Sequence, residues 1–145
     1  MADRASDSVV IGADKAAVMA VIADFEAYPQ WASSVKQAEV LDVDADGRPL
    51  QVRFLLDAGI IKDDYVLAYD WSRPDEVSWN QVRSKAMKSQ DGTYRLVETP
   101  DGTEVTYALA LDLKIPMLGA FKRKGQQAII ETALKGLKKR VESAG

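Results

Sequence analysis

Residues 118–141 restrict the possible folds more than any other part of this chain. Phe121, Ile129, Ile130, Ala133, Leu134, Leu137 and Val141 recur mostly at three- and four-residue steps. That spacing predicts one long helix with a single apolar stripe. Pro116 stands just ahead of it, where a missing backbone donor costs little. Lys135, Lys138, Lys139 and Arg140 crowd its last turns, where cations suit the negative end of the helix dipole. A helix of this length with one apolar stripe must lie against a broad apolar surface.

The preceding chain reads as strands able to supply that surface. Residues 8–11 predict a short strand. Asp14 then caps a helix that carries Val18, Val21, Ile22 and Phe25 on one face. Residues 25–28 predict a second short helical turn, ended by Pro29, with Trp31 in the link that follows. From there the period changes from helical to alternating. Strands are expected over 35–43, 50–56, 64–71, 77–81, 93–98 and 103–113, with a less regular stretch over 83–90. Asp46-Gly47 and Asp101-Gly102 mark tight turns. Successive strands joined by short turns make an antiparallel meander, and one apolar face per strand makes one buried sheet face. The expectation is an α+β domain spanning residues 1–145. A curved antiparallel seven-stranded sheet wraps a long C-terminal helix, with two short helices between strands 1 and 2.

Two absences narrow the chemistry. The chain has no Cys, which excludes thiolate nucleophiles and zinc–thiolate sites, and no His, which excludes Ser-His triads and imidazole bases. Asp42, Asp44 and Asp46 alternate, but Gly47, Arg48 and Pro49 follow at once, so they read as turn residues and no metal is expected. Residues 1–113 carry 11 basic and 20 acidic side chains, whereas residues 114–145 carry 8 and 2. That skew reads either as a solvated helix face or as a patch for anionic lipid or an acidic partner. The net charge of −3 argues against general nucleic-acid binding. No apolar run approaches the roughly 18 residues of a membrane span, and residues 1–7 lack the apolar core of a signal peptide. A cytoplasmic location is the expectation.

The aromatic side chains suggest where a ligand would sit. Tyr65, Tyr69, Trp71, Trp79, Tyr94 and Tyr107 share the inferred inner face of four neighbouring strands, with Phe121 on the helix and Trp31 at the entrance. Rings in such a stripe either fill a solid core or line a cavity. Tyr and Trp outnumber Phe here, and each brings a polar tip that needs a partner when buried, as small-molecule pockets require. Gln81 shares parity with Trp79 and is the candidate orienting amide; Glu98 reads as a strand-end residue reaching water. The expected ligand-binding set is therefore Trp31, Tyr65, Tyr69, Trp71, Trp79, Gln81, Tyr94, Tyr107 and Phe121. No pair of carboxylates shows inward parity, and no catalytic residue is assigned.

Several short segments, in order, resemble one family. They are 24–31 (Asp-Phe-Glu-Ala-Tyr-Pro-Gln-Trp), Asp63-Asp-Tyr65, Ser78-Trp79, Asp91-Gly-Thr-Tyr94, 102–107, Ile115-Pro116 and 137–142. Together they resemble the polyketide cyclase/dehydrase and lipid-transport superfamily, the START-related (SRPBCC) group with the helix-grip fold, and in particular its small actinobacterial-type members. The resemblance implies a deep apolar cavity between sheet and helix for lipids, sterols, polyketides, quinones or hormones, with no cofactor. Some relatives are aromatase/cyclases, others carry or sense ligands, and ribosome-association toxins are similar too. Three functions follow as expectations: binding or carriage of a hydrophobic small molecule; a polyketide cyclase, aromatase or dehydratase activity; or an interaction module that uses the basic helix end on a membrane surface or ribosome.

Overall fold

In the computed structural model, which describes residues 3–59, 62–114 and 119–144, alternating sequence becomes sheet and periodic sequence becomes helix. The order is β1 (Asp3–Ile11), α1 (Lys15–Ala23), a 3₁₀ helix (Phe25–Gln30), β2 (Val35–Val43), β3 (Pro49–Asp57), β4 (Lys62–Arg73), β5 (Glu76–Ser84), β6 (Met87–Thr99), β7 (Gly102–Leu113) and α2 (Gly119–Ala144). All strand pairs are antiparallel, and the sheet order is β1-β7-β6-β5-β4-β3-β2. The first strand closes beside the last, so the meander β2 to β7 is extended by β1 from the far end of the sequence.

Alternation decides which face is buried. Val52, Phe54 and Leu56 on β3, Tyr65 and Leu67 on β4, and Val105, Tyr107, Leu109 and Leu111 on β7 point inward. Against them α2 presents Ile129, Ile130, Leu134, Leu137 and Val141, all buried. Asp14 caps α1 by accepting the Ala17 N–H at 2.8 Å. α1 contributes the buried Val18 and Ile22, and Phe25 of the 3₁₀ helix is buried beside them. Polar clamps fix α2 to the sheet: Gln126 Nε2 donates to the Leu109 carbonyl at 3.1 Å, and Glu142 accepts the Gly12 N–H at 2.9 Å.

Four boundaries differ from expectation. β1 is nine residues long because it runs the full register against β7, from Asp3↔Leu111 to Ile11↔Thr103, although its outer half lacks apolar alternation. Pro29 lies inside the 3₁₀ helix, where the tighter turn tolerates it, and the helix ends one residue before Trp31. The stretch 83–90 resolves into the end of β5 and the start of β6. α2 continues past residue 141 to Ala144. Pro116 lies outside the described residues. Asp44 is a turn residue: its carboxylate accepts the N–H groups of Asp46 and Arg48, both at 2.9 Å, and pairs with the Arg48 side chain. No helix among the described residues is long and apolar enough to cross a membrane.

Candidate functional site

A cavity of about 60 Å³ lies under the concave face of the sheet, between the 3₁₀ helix, the inner faces of β2 to β7 and α2. The rings around it are in mutual contact. Centroid separations are 5.7 Å for Tyr69–Trp79, 5.4 Å for Trp79–Tyr94, 5.7 Å for Trp79–Tyr107, 4.6 Å for Tyr94–Tyr107 and 4.6 Å for Tyr28–Trp31. These are ordinary spacings for packed aromatic pairs. The structure thus stands between the cavity and the solid core that the sequence left open. The rings fill most of the space, and what remains holds a few water molecules, well short of the roughly 300 Å³ at which small-molecule pockets begin. The half-buried lining residues Ser34 and Val35, at the start of β2, and Thr132 and Ala133, on α2, form its lip. One turn along α2, a Cβ on Gly136 would stand 2.0 Å from the Trp31 carbonyl oxygen, so the backbones touch there and close that side.

Of the residues expected to line the site, Trp31, Tyr65, Tyr69, Trp79, Tyr94 and Tyr107 surround this cavity. Trp71, Gln81 and Phe121 do not, and each has a physical reason. Trp71 keeps the side of Tyr69, stacked on it at 6.1 Å and 6.3 Å from Phe25, but it stands near the far end of β4, beyond the cavity. Its indole N–H donates to the Pro49 carbonyl at 2.6 Å, and the ring lines a separate groove beside Met19 of α1. Gln81 sits where β5 and β6 diverge beyond the Asn80↔Asp91 pair; its amide donates to the Met87 and Lys88 carbonyls at 3.1 and 3.3 Å, bridging the gap. Phe121 is 51% exposed and lies outside the described lining.

The structure adds residues that were not expected to line the site: Tyr28, Phe54, Leu67 and Gln90, with Ile129 and Thr132 from α2. Gln90 had a signal, because it shares parity with Gly92, Tyr94 and Leu96, all buried on β6. Phe54 lay on an apolar strand face already, whereas Tyr28 was hidden in a turn with no period to read.

Burial sets the electrostatics. It pushes the phenols of Tyr28, Tyr65, Tyr69, Tyr94 and Tyr107 above their ordinary range, and for all but Tyr107 the neighbouring phenols add to the effect. The Gln90 amide beside the Tyr65 hydroxyl partly offsets its shift. Trp31 Nε1, Trp79 Nε1 and Gln90 Oε1 are buried and have no hydrogen-bond partner among the described residues. Trp79 lies flat over Gly92, its partner across the ladder: a Cβ there would come within 2.5 Å of the ring. None of the described lining residues carries a charge. The buried carboxylate of Asp63 points elsewhere. It accepts from Ser84 Oγ and from the N–H groups of Asp64, Lys85 and Ala86, at 2.8, 3.1 and 2.9 Å for the three amides, and so holds the corner between β5 and β6.

A family model described as polyketide cyclase/dehydrase and lipid transport matches residues 2–142. Comparison with curated protein sequences finds no match. Among solved structures, a START superfamily protein from Mycobacterium smegmatis superposes with a TM-score of 0.90 at 25% identity, covering 98% of this chain and 99% of that one. The TTHA0849 protein from Thermus thermophilus gives 0.82 at 21% identity, over 99% of both chains. The Zhui aromatase/cyclase from Streptomyces sp. R1128 gives 0.78 at 15%, over 100% of this chain and 99% of that one, a likeness of fold.

Proposed function

The chain belongs to the polyketide cyclase/dehydrase and lipid transport family, and from that membership and the cavity chemistry we propose that it binds a neutral, largely apolar small molecule whose polar groups accept hydrogen bonds. The observation that carries this reading is the pair of buried indole N–H groups of Trp31 and Trp79, unpartnered among the described residues and carried on two rings that line the cavity. A buried donor without a partner costs about 1–3 kcal/mol, and a ligand carbonyl or ether would recover it. The phenols add further donors, because burial keeps them protonated; the Gln90 carbonyl is the matching lone acceptor. With no charged group in the lining, a carboxylate or ammonium on the ligand would be buried without compensation. Binding requires the lip of Ser34, Val35, Thr132 and Ala133 to part, since the resting volume is about 60 Å³. Most of the affinity then comes from apolar burial, at about 25 cal/mol per Å² before ordering costs.

The cyclase reading is the weaker one. Among the described lining residues the groups able to move a proton are hydroxyls, of the tyrosines, Ser34 and Thr132, and burial holds the phenols as donors rather than bases.

A matched series of two-ring compounds tests the proposal: 1-tetralone carries a carbonyl, tetralin has no acceptor, and 1-naphthoate is charged. Quenching of tryptophan fluorescence should rank tetralone first and naphthoate last. Trp79→Phe keeps a ring and removes the donor; it should cost tetralone about tenfold in affinity and leave tetralin unchanged. Naphthoate binding as tightly as tetralone, or a Trp79→Phe protein that binds tetralone normally, would overturn the reading.

A further inference from the structure

We propose that the outward face of α2 docks the protein on an anionic lipid surface, with the lip of the cavity beside the contact. Phe121, Lys124, Ala128, Thr132, Lys135 and Lys139 follow one another at three- and four-residue steps on α2, so they share one face. Lys124, Lys135 and Lys139 are exposed. Among the described residues none of the three meets a carboxylate: the ion pairs of α2 are Lys122–Asp112 and Lys138–Glu142. Glu131 flanks this face and is held by Gln127. Elsewhere cations such as Arg4, Lys15, Arg53 and Arg73 pair with Asp91, Asp75, Asp64 and Glu76, whereas Lys36, Arg83, Lys88, Arg95 and Lys114 have no carboxylate partner among the described residues. The net positive charge nevertheless collects on α2, which carries seven basic and two acidic side chains in a chain whose first 113 residues carry 20 acidic and 11 basic.

Two further observations select a bilayer. Phe121, at the start of the same face, is half exposed, and an acyl boundary would cover it. Thr132, in the middle of the face, also lines the cavity, so the lip opens next to the lysines. On a membrane the lysine stems lie along the interface with their ammonium groups among anionic headgroups. The chain's net charge of −3 disfavours a nucleic acid. The docking face does not depend on what the cavity holds.

Cosedimentation with phosphatidylcholine vesicles carrying phosphatidylglycerol, against phosphatidylcholine alone, reads this directly. Binding should need the anionic lipid and weaken with salt. Each lysine is expected to contribute about fivefold, so the variant with Lys124→Gln, Lys135→Gln and Lys139→Gln should lose about a hundredfold in partitioning. Phe121→Ala should lose about tenfold with the salt dependence intact. All four side chains are exposed, and unchanged thermal midpoints would show that the fold is untouched. Equal binding to both vesicle types, full binding by the triple variant, or binding to ribosomal RNA in place of vesicles through these lysines would overturn the proposal.

Discussion

Five tyrosines make up the whole phenol content of the chain, and burial raises the pKa of every one. A phenol whose folded pKa stands above its unfolded value of about 10 stabilises the folded state fully below that pH. The contribution is lost as pH climbs through the folded value, because the unfolded chain releases its protons first. Stability should therefore decline from about pH 10 upward. Phenolate absorbance should stay low until the protein unfolds and then rise for all five rings together. Independent titration of one or more tyrosines near pH 10 in the folded protein would show that those rings reach water. Single residues were legible in the sequence wherever alternation was unbroken. Tyr65, Tyr69, Trp79, Tyr94 and Tyr107 were placed by parity alone. Trp71 was misplaced because parity gives the face of a strand and not how far along it the cavity reaches: its ring stacks on Tyr69 but lies beyond the lining. Gln81 was misplaced because its amide answers a gap between two strands, and that gap exists only in three dimensions.

The long helix shows the same division at the scale of an element. Its existence and its buried stripe of Ile129, Ile130, Leu134, Leu137 and Val141 followed from spacing. Phe121 did not belong to that stripe. It lies nine residues before Ile130, and at about 100° per residue that is half a turn out of phase. The phase error is visible in the sequence once the stripe is centred on its second half. What spacing could not show is the close approach of α2 to the segment after the 3₁₀ helix. Gly136 permits it, because a Cβ would stand 2.0 Å from the Trp31 oxygen. Alanine in place of glycine ordinarily stabilises a helix interior by about 1 kcal/mol. Here overpacking against backbone should outweigh that gain, so Gly136→Ala is expected to lower stability by about 1–3 kcal/mol in urea unfolding. A stabilised Gly136→Ala protein would mean that α2 and Trp31 are farther apart than described.

At the scale of the molecule, the fold is a sheet whose concave face is nearly filled by its own aromatic rings, leaving a small void where the donors lack partners. The antiparallel meander, the gripping helix and the family resemblance were all readable from the order of strands and helices. The volume of the void was not, since it depends on how rings tilt against one another at 4.6–6.3 Å. Nor was the lip, where Ser34 and Val35 and the α2 residues Thr132 and Ala133, distant in sequence, border one cavity. The central claim is that ligand acceptors meet the free N–H groups of Trp31 and Trp79. The three tryptophans allow a direct test, because each gives one indole N–H signal in a proton–nitrogen NMR spectrum. On addition of 1-tetralone, the Trp31 and Trp79 signals should move, while that of Trp71, already bonded to the Pro49 carbonyl, should stay in place. Movement of the Trp71 signal alone, or of none of the three at saturating tetralone, would contradict the account.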